Sequence, residues 1–264
     1  MPARLRDEFA VDGTTLQRYA SRFDCVEVNS SFYRPHRAEV YARWAESVPP
    51  GFRFSVKLPQ TITHELRLRR TAKPLATFLA QVEGLGPKLG ALLVQLPGSF
   101  AYDARVAGNF FRALRGLHAG PVVCEPRHPG WFEPRVAALF ERLRIGRVAA
   151  DPARCADAAV ALPADALAYY RMHGSPRMYW SPYGRERLLP LAAEIAALRD
   201  AGIRSWCIFD NTASQSAAHD ALALRALLDR QPLSARVMQG RTRTPNTITS
   251  ANGTARAPSR GRAG

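Results

Sequence analysis

The sequence predicts an α/β protein of the TIM-type (β/α) barrel class, on three observations. Short apolar runs alternate with longer amphipathic stretches along most of the chain, the pattern of βαβ units and a parallel sheet. Nearly every run is apolar at its start and polar at its end. Within a run, alternate residues separate polar from apolar, so one face suits a polar interior near the strand end and the other suits covering helices. An open doubly wound sheet would carry a Gly-rich phosphate loop after its first strand, and none is present.

In chain order, a helix over Leu16–Phe23 precedes the strand CVEVN (25–29), where Cys25, Glu27 and Asn29 share one face. A helix over Ala38–Val48 leads to FRFSVKL (52–58), in which Arg53, Ser55 and Lys57 oppose Phe52, Phe54, Val56 and Leu58. A helix over Leu75–Leu85 precedes ALLVQLP (91–97), polar at Gln95, and one over Asp103–Leu117 precedes PVVCEP (121–126), polar at Glu125. Pro134–Leu143 is followed by GRVAAD (146–151), ending at Asp151, and then by ALAYYRMH (166–173), where Tyr169, Arg171 and His173 share a face. Arg185–Ala201, the strand SWCIFDN (205–211) and a helix over Ser216–Leu228 complete the pattern. Gly or Pro marks most joints, as in VPPGF, LGPKLG and HAGP. Seven strands are countable, whereas a closed barrel needs eight. MPARLRDEF is too short and too charged to be a buried strand, so the N-terminal strand is expected to be missing.

At 264 residues the chain is long enough for one large domain, assigned to 1–231. A hydrophobic fraction of 47% fits a globular protein. No apolar run approaches the ~20 residues of a membrane helix, and the N-terminus lacks the apolar core of a secretory signal. Cys25, Cys124, Cys155 and Cys207 form no CxxC pair, and most lie in apolar runs, which predicts a reduced, cytoplasmic protein with no membrane association. The net charge of +15 is uneven: residues 232–264 hold six arginines and no acid, leaving 31 basic against 22 acidic residues elsewhere. That segment, without apolar periodicity, is expected to be a basic disordered tail. Weak, non-specific nucleic-acid binding through it is the expectation from counterion release.

Several segments together resemble the YecE-like proteins, the domain of unknown function 72 family. They are FDCVEVNSSFYR (23–34), PPGFRFSVKLPQTITH (49–64), LGALLVQLPGSF (89–100), CEPRHPGWF (124–132), YYRMHG (169–174) and FDN (209–211). The resemblance runs in unbroken order from Leu16 to Leu228. It implies a TIM-type barrel and supplies no reaction. Two departures stand out. The family's opening G-T-S-G-W strand is absent, in agreement with the strand count, and the FDN segment stands where the family more often has two asparagines.

Active sites of TIM barrels lie at the C-terminal ends of the strands. The implied pocket holds Glu27, Asn29, Lys57, Gln95, Glu125, Arg127, His128, Asp151, Arg171, His173 and Asn211, with Tyr33 as a possible wall. Asp210 is assigned the helix-facing parity, which makes Asn211 the pocket residue. Glu125, His173 and Glu27 are the candidate proton-transfer groups; for Glu125 a salt bridge to Lys57 or Arg171 is an equal alternative. Arg127 and Arg171 suit phosphate or carboxylate, or else neutralise the glutamates. Lys57 suits an anion or carboxylate, or a Schiff base if its pKa is depressed. His128 and Trp131 are expected to belong to the turn entering the next helix. Glu27, Glu125, Asp151 and His173 are metal-compatible ligand types, but the neighbouring cations oppose a divalent ion, so no metal is assigned. No cofactor is identified. The leading expectation is an enzyme, or degenerate enzyme, acting on a small anionic or polyhydroxyl compound such as a sugar phosphate. The alternative is a non-catalytic barrel binding nucleic acid or protein with help from the tail.

Overall fold

The computed structural model describes residues 3–230, so the expected basic tail lies outside the described residues. Among the described residues eight strands form two wholly parallel sheets. The first has the order β1 (Cys25–Val28), β2 (Arg53–Lys57), β3 (Leu89–Gln95), β4 (Val122–Glu125), β5 (Ile145–Arg147). The second has the order β6 (Ala149–Asp151), β7 (Leu167–Met172), β8 (Arg204–Phe209). The α-helices are α1 (Thr15–Ala20) before β1, then α2 (Ser30–Tyr33), α3 (Ala38–Glu46), α4 (Ala72–Val82), α5 (Ala104–Leu117), α6 (Pro134–Arg142) and α7 (Arg185–Asp200), and α8 (Ala217–Asp229) after β8.

The expected single strand 146–151 is divided at Val148. Its first half pairs with β4 and its second with β7, while the Val148 amide still donates to the Cys124 carbonyl at 2.9 Å. One continuous segment therefore serves both sheets, and strand order follows chain order throughout. The expected closed barrel is not formed among the described residues, because no ladder joins β1 to β8. Those two strands meet through side chains instead: Cys25 and Ile208 pack on one cluster with Ala91, Leu93, Val123, Val148, Leu167, Tyr169 and Trp206.

That cluster is the floor beneath the polar strand ends. The opposite strand faces pack outward under helices. Phe54, Val56, Leu92, Val94, Val122 and Cys124 meet the buried stripes of α4 and α5, while Ala168, Tyr170 and Met172 meet α7 and α8. Each Phe or Leu so buried contributes ~1.5–3 kcal/mol relative to exposure. α5 shows how sequence sets one of these helices. Asp103 caps it by accepting from the Arg105 and Val106 amides at 3.0 Å. Val106, Ala107, Phe110, Phe111 and Leu114 recur at helical spacing and are buried.

Gly90 lets the two sheets approach. The register of β2 against β3 shifts there, with Phe54 opposite Leu89 and Ser55 opposite Ala91, so Gly90 is the extra residue of a bulge. A Cβ at Gly90 would lie 2.4 Å from the Trp206 ring, which is itself held in the floor. Gly90→Ala is expected to destabilise the fold by ~1–3 kcal/mol through overpacking, read as a lowered urea midpoint. An unchanged midpoint would mean that the Trp206 ring is free to move.

Candidate functional site

Arg171 is the hub of the inward polar cluster. It lies on β7, where alternation sends Leu167, Tyr169 and Arg171 inward. Its guanidinium grips Glu27 from β1 with two bonds: Nε to Oε2 at 3.1 Å and Nη2 to Oε1 at 2.7 Å. Nη1 donates to Glu125 Oε2 from β4 at 2.5 Å, and Nη2 also reaches Asp210 Oδ2 at 3.3 Å. The Tyr169 hydroxyl donates a further bond to Glu27 Oε2 at 2.8 Å. The side chains of Arg171, Glu27 and Glu125 are all at most 2% exposed. Three carboxylates engage four of its five N–H donors, so its role is to position them.

A second tier lies nearer the mouth. Arg127, in the loop after β4, donates from Nε to Glu125 Oε1 at 2.8 Å and keeps 18% of its side chain exposed. His173 sits between two acids, with Nε2 at 3.4 Å from Glu125 Oε1 and Nδ1 at 3.2 Å from Asp210 Oδ2. Burial disfavours the Glu125 carboxylate, but Arg171, the His173 hydrogen bond and Arg127 outweigh it and hold the group well below the usual range. Burial likewise disfavours the His173 imidazolium, yet its bonds to Asp210 and Glu125 raise its pKa above the ordinary value. Glu125 is thus the resting anion and His173 the group biased towards carrying the proton.

Lys57 completes the cluster from the end of β2. Its Nζ stands 4.0 Å from the Phe32 ring centroid on α2. Ser31, also on α2, lies with its hydroxyl 2.7 Å from the Lys57 carbonyl and fixes the strand end against that helix. Burial, followed by the charge of Arg171, lowers the Lys57 pKa from 10.5 to about 8 against the opposing pull of Glu125 and Glu27. His64 approaches from the π-helical turn Thr61–Glu65, its ring 4.9 Å from Phe32 in an edge-to-face contact.

The other expected pocket residues are placed differently. Asp151 faces α7, where Arg187 binds its Oδ2 at 2.7 Å and the Tyr183 hydroxyl binds its Oδ1 at 2.9 Å. Val148 takes the inward position of that strand, which turns Asp151 to the helix side with Tyr170 and Met172. Asn211 is fully buried, with Nδ2 donating to the Ser181 carbonyl at 3.0 Å and to Asp220 Oδ2 at 2.6 Å, so it ties the loop after β7 to α8. Asp210, assigned above to the helix side, instead joins the cluster, because Trp206 and Ile208 set the inward phase of β8. All four residues from Trp206 to Phe209 are apolar, and polarity therefore gave no phase there.

Gln95 is buried and inward, donating to the Leu96 carbonyl at 3.2 Å. Asn29 precedes α2, and its Oδ1 is buried without a protein partner. Tyr33 is 75% exposed. His128 accepts from the Gly130 amide at 3.1 Å in the turn, and buried Trp131 donates Nε1–H to the Phe100 carbonyl at 2.8 Å. Tyr169 shares the parity of Arg171, a signal that could have found it as part of the site. Among the described residues no group of three or more His, Cys, Asp or Glu is arranged to hold a metal ion.

The chain is similar to known proteins over this same framework. A family model described as a protein of unknown function, DUF72, matches residues 8–245. The UPF0759 protein YecE of Escherichia coli K12 is 36% identical over 120 residues, which cover 45% of this chain and 43% of that protein. The match thus spans less than half the length of that curated relative. A DUF72 family protein from Enterococcus faecalis V583 superposes with a TM-score of 0.70 at 21% identity, covering 87% of this chain and 94% of that one. Another, from Thermotoga maritima MSB8, gives 0.68 at 22% identity, covering 83% and 92%. At these identities the solved structures speak for the fold alone, whereas the family model spans most of the sequence. The chain belongs to the DUF72 family of proteins of unknown function.

Proposed function

We infer that the inward cluster is the substrate site of an enzyme performing acid–base chemistry on a small anionic or polyhydroxyl compound, such as a sugar phosphate. One observation carries this reading: every carboxylate in the cluster has an arginine or histidine partner, while among the described residues the buried Lys57 ammonium has no carboxylate of its own. Three acids face Arg171, Arg127, Lys57 and a His173 biased towards protonation. An excess buried cation is costly unless an anion joins it. Arg127 and Lys57 would hold that anion, and His173 with Glu125 would move protons. Asp210 would orient the imidazole through Nδ1, while Glu27 and Arg171 would fix Glu125.

The same reading takes the two sheets as parts of a TIM-type barrel, supported by the unbroken strand order and by a site gathered at the C-terminal strand ends. It also takes the protein to be cytoplasmic, supported by four cysteines that remain free. The test is thermal stabilisation across sugar phosphates and neutral sugars. An anionic ligand at 100 times its Kd should add ~2.7 kcal/mol, and Glu125→Gln should abolish any turnover found. Absence of any shift with anionic compounds, together with an inert Glu125→Gln, would remove the reading.

A binding role draws on a different feature. Trp180 is 46% and Tyr33 75% exposed, and the Arg177 guanidinium lies 4.6 Å from the Trp180 ring. Exposed aromatic and arginine groups suit single-stranded nucleic acid. That role predicts salt-dependent oligonucleotide binding that weakens when the segment after Pro232 is removed. Binding unaffected by either change would exclude it.

A further inference from the structure

The protein uses lysine almost nowhere. Of 37 basic residues only Lys57, Lys73 and Lys88 are lysines; the other 34 are arginines. Among the described residues, where a Lys or Arg cation pairs with a carboxylate this chain has arginine, as at positions 171, 127 and 187. A guanidinium would also serve better than an ammonium for gripping phosphate, through its bidentate fork. The property that lysine offers and arginine lacks is a removable proton.

The surroundings of Lys57 fit that property. Its residue is 9% exposed, and among the described residues Nζ has neither a hydrogen bond nor an ion pair, only the Phe32 ring. By contrast, Lys88 Nζ is held by the Ala45 and Val48 carbonyls, and Lys73 is exposed. An amine without a hydrogen-bond partner keeps its lone pair available to an incoming carbon. Burial favours that neutral form, so that about half of Lys57 is free amine near pH 8.

Resting on the proposed anionic substrate, we propose that Lys57 is a nucleophile that forms a Schiff base with an aldehyde or ketone bearing a phosphate or carboxylate group. Arg127, with its part-exposed side chain, receives the anionic group while the carbonyl carbon meets Nζ. The nitrogen lone pair forms the C–N bond, and the carbonyl π pair moves to oxygen, which takes a proton from the His173 imidazolium. The nitrogen then gives one proton to the Glu125 carboxylate, which passes it to the new hydroxyl. The C–O bond breaks, water leaves, and a protonated imine remains on Lys57. One proton is consumed, nothing is oxidised or reduced, and His173 regains its proton from solvent.

The test is borohydride trapping on the full chain with pyruvate and dihydroxyacetone phosphate as probes and glycerol 3-phosphate as the anionic control without a carbonyl. Peptide mass mapping is expected to place the reduced adduct on Lys57, approaching one per chain, and to find none with glycerol 3-phosphate. The trapping rate should rise about tenfold from pH 7 to pH 9, as the free-amine fraction of a group titrating near 8 does. Lys57→Arg, checked for native circular dichroism, should abolish trapping with both carbonyl probes. Stabilisation by the anionic probes without an adduct at Lys57, or with labelling no greater there than at Lys73, overturns the Schiff base and leaves the anionic-substrate reading standing. No stabilisation and no adduct with any probe overturns both.

Discussion

Arg171→Met is expected to be the most damaging single substitution at the site, lowering stability by ~4 kcal/mol or more and the melting temperature by ~10 °C. The size follows from what the guanidinium serves. Removing one partner of a buried ion pair ordinarily costs ~3–5 kcal/mol because the other charge is stranded. Here Glu27, Glu125 and Asp210 all lose the same partner, and two of the three acids have side chains only 1% exposed.

The pH dependence has a definite sign. In the native protein burial opposes the Glu125 and Asp210 carboxylates. Nearby charges and His173 nevertheless hold both below their ordinary pKa values. Their contribution to stability is therefore present above the ordinary carboxylate range and is lost as pH falls through the lowered folded values. Without Arg171, burial dominates and the same carboxylates resist ionisation. The deficit of Arg171→Met should then be largest near pH 7 and should narrow towards pH 4, as measured by urea unfolding at each pH. Adding Glu27→Gln and Glu125→Gln should recover part of the loss at pH 7. A variant as stable as the parent at neutral pH would mean that the hub carries no net stability.

Much of this arrangement was legible in the sequence because alternation is strict where polar and apolar residues alternate strictly. Glu27, Ser55, Lys57, Gln95, Glu125 and Arg171 were assigned inward from alternation, from the polar ends of the runs and from the resembled family's matching positions, and all six face the interior side of their strands. The assignment failed where the residues themselves gave no phase. Trp206–Phe209 is wholly apolar, so Asp210 and Asn211 were exchanged. In GRVAAD the inward residue is Val148, and Asp151 is claimed by Arg187 of α7, a partner 36 residues away in sequence that no local pattern reveals. The split of that segment between two sheets is equally non-local, since β4 takes Gly146 and Arg147 and β7 takes Ala149–Asp151. Short turns escaped for a third reason. The π-helical turn that brings His64 to Phe32 and the four-residue α2 are too short for a hydrophobic pattern to recur within them.

Lys57→Met is expected to act in the opposite direction to Arg171→Met, making the protein more stable at pH 7 while removing anion binding. The folded state lowers the Lys57 pKa from 10.5 to about 8, chiefly by burial. Below pH 8 the folded and unfolded chains both hold the proton, and the folded state bears the full penalty of a desolvated ammonium. Between about 8 and 10.5 the unfolded chain binds more protons, so stability rises with pH and the penalty fades. A gap of this size corresponds to ~3 kcal/mol at 1.36 kcal/mol per pKa unit. Methionine keeps an unbranched apolar stem against Phe32 and carries no charge, though Glu125 and Asp210 lose a neighbouring cation. The net gain at pH 7 should therefore be ~1–3 kcal/mol, shrinking towards zero by pH 10.5. Urea midpoints at pH 7 and pH 10 measure both. A variant less stable than its parent at pH 7, or a difference independent of pH, would show that Lys57 is held by a carboxylate and is not strained by burial. A fold that stabilises on losing Lys57 retains that lysine at a cost to its own stability, and the compensation has to be found in what binds there.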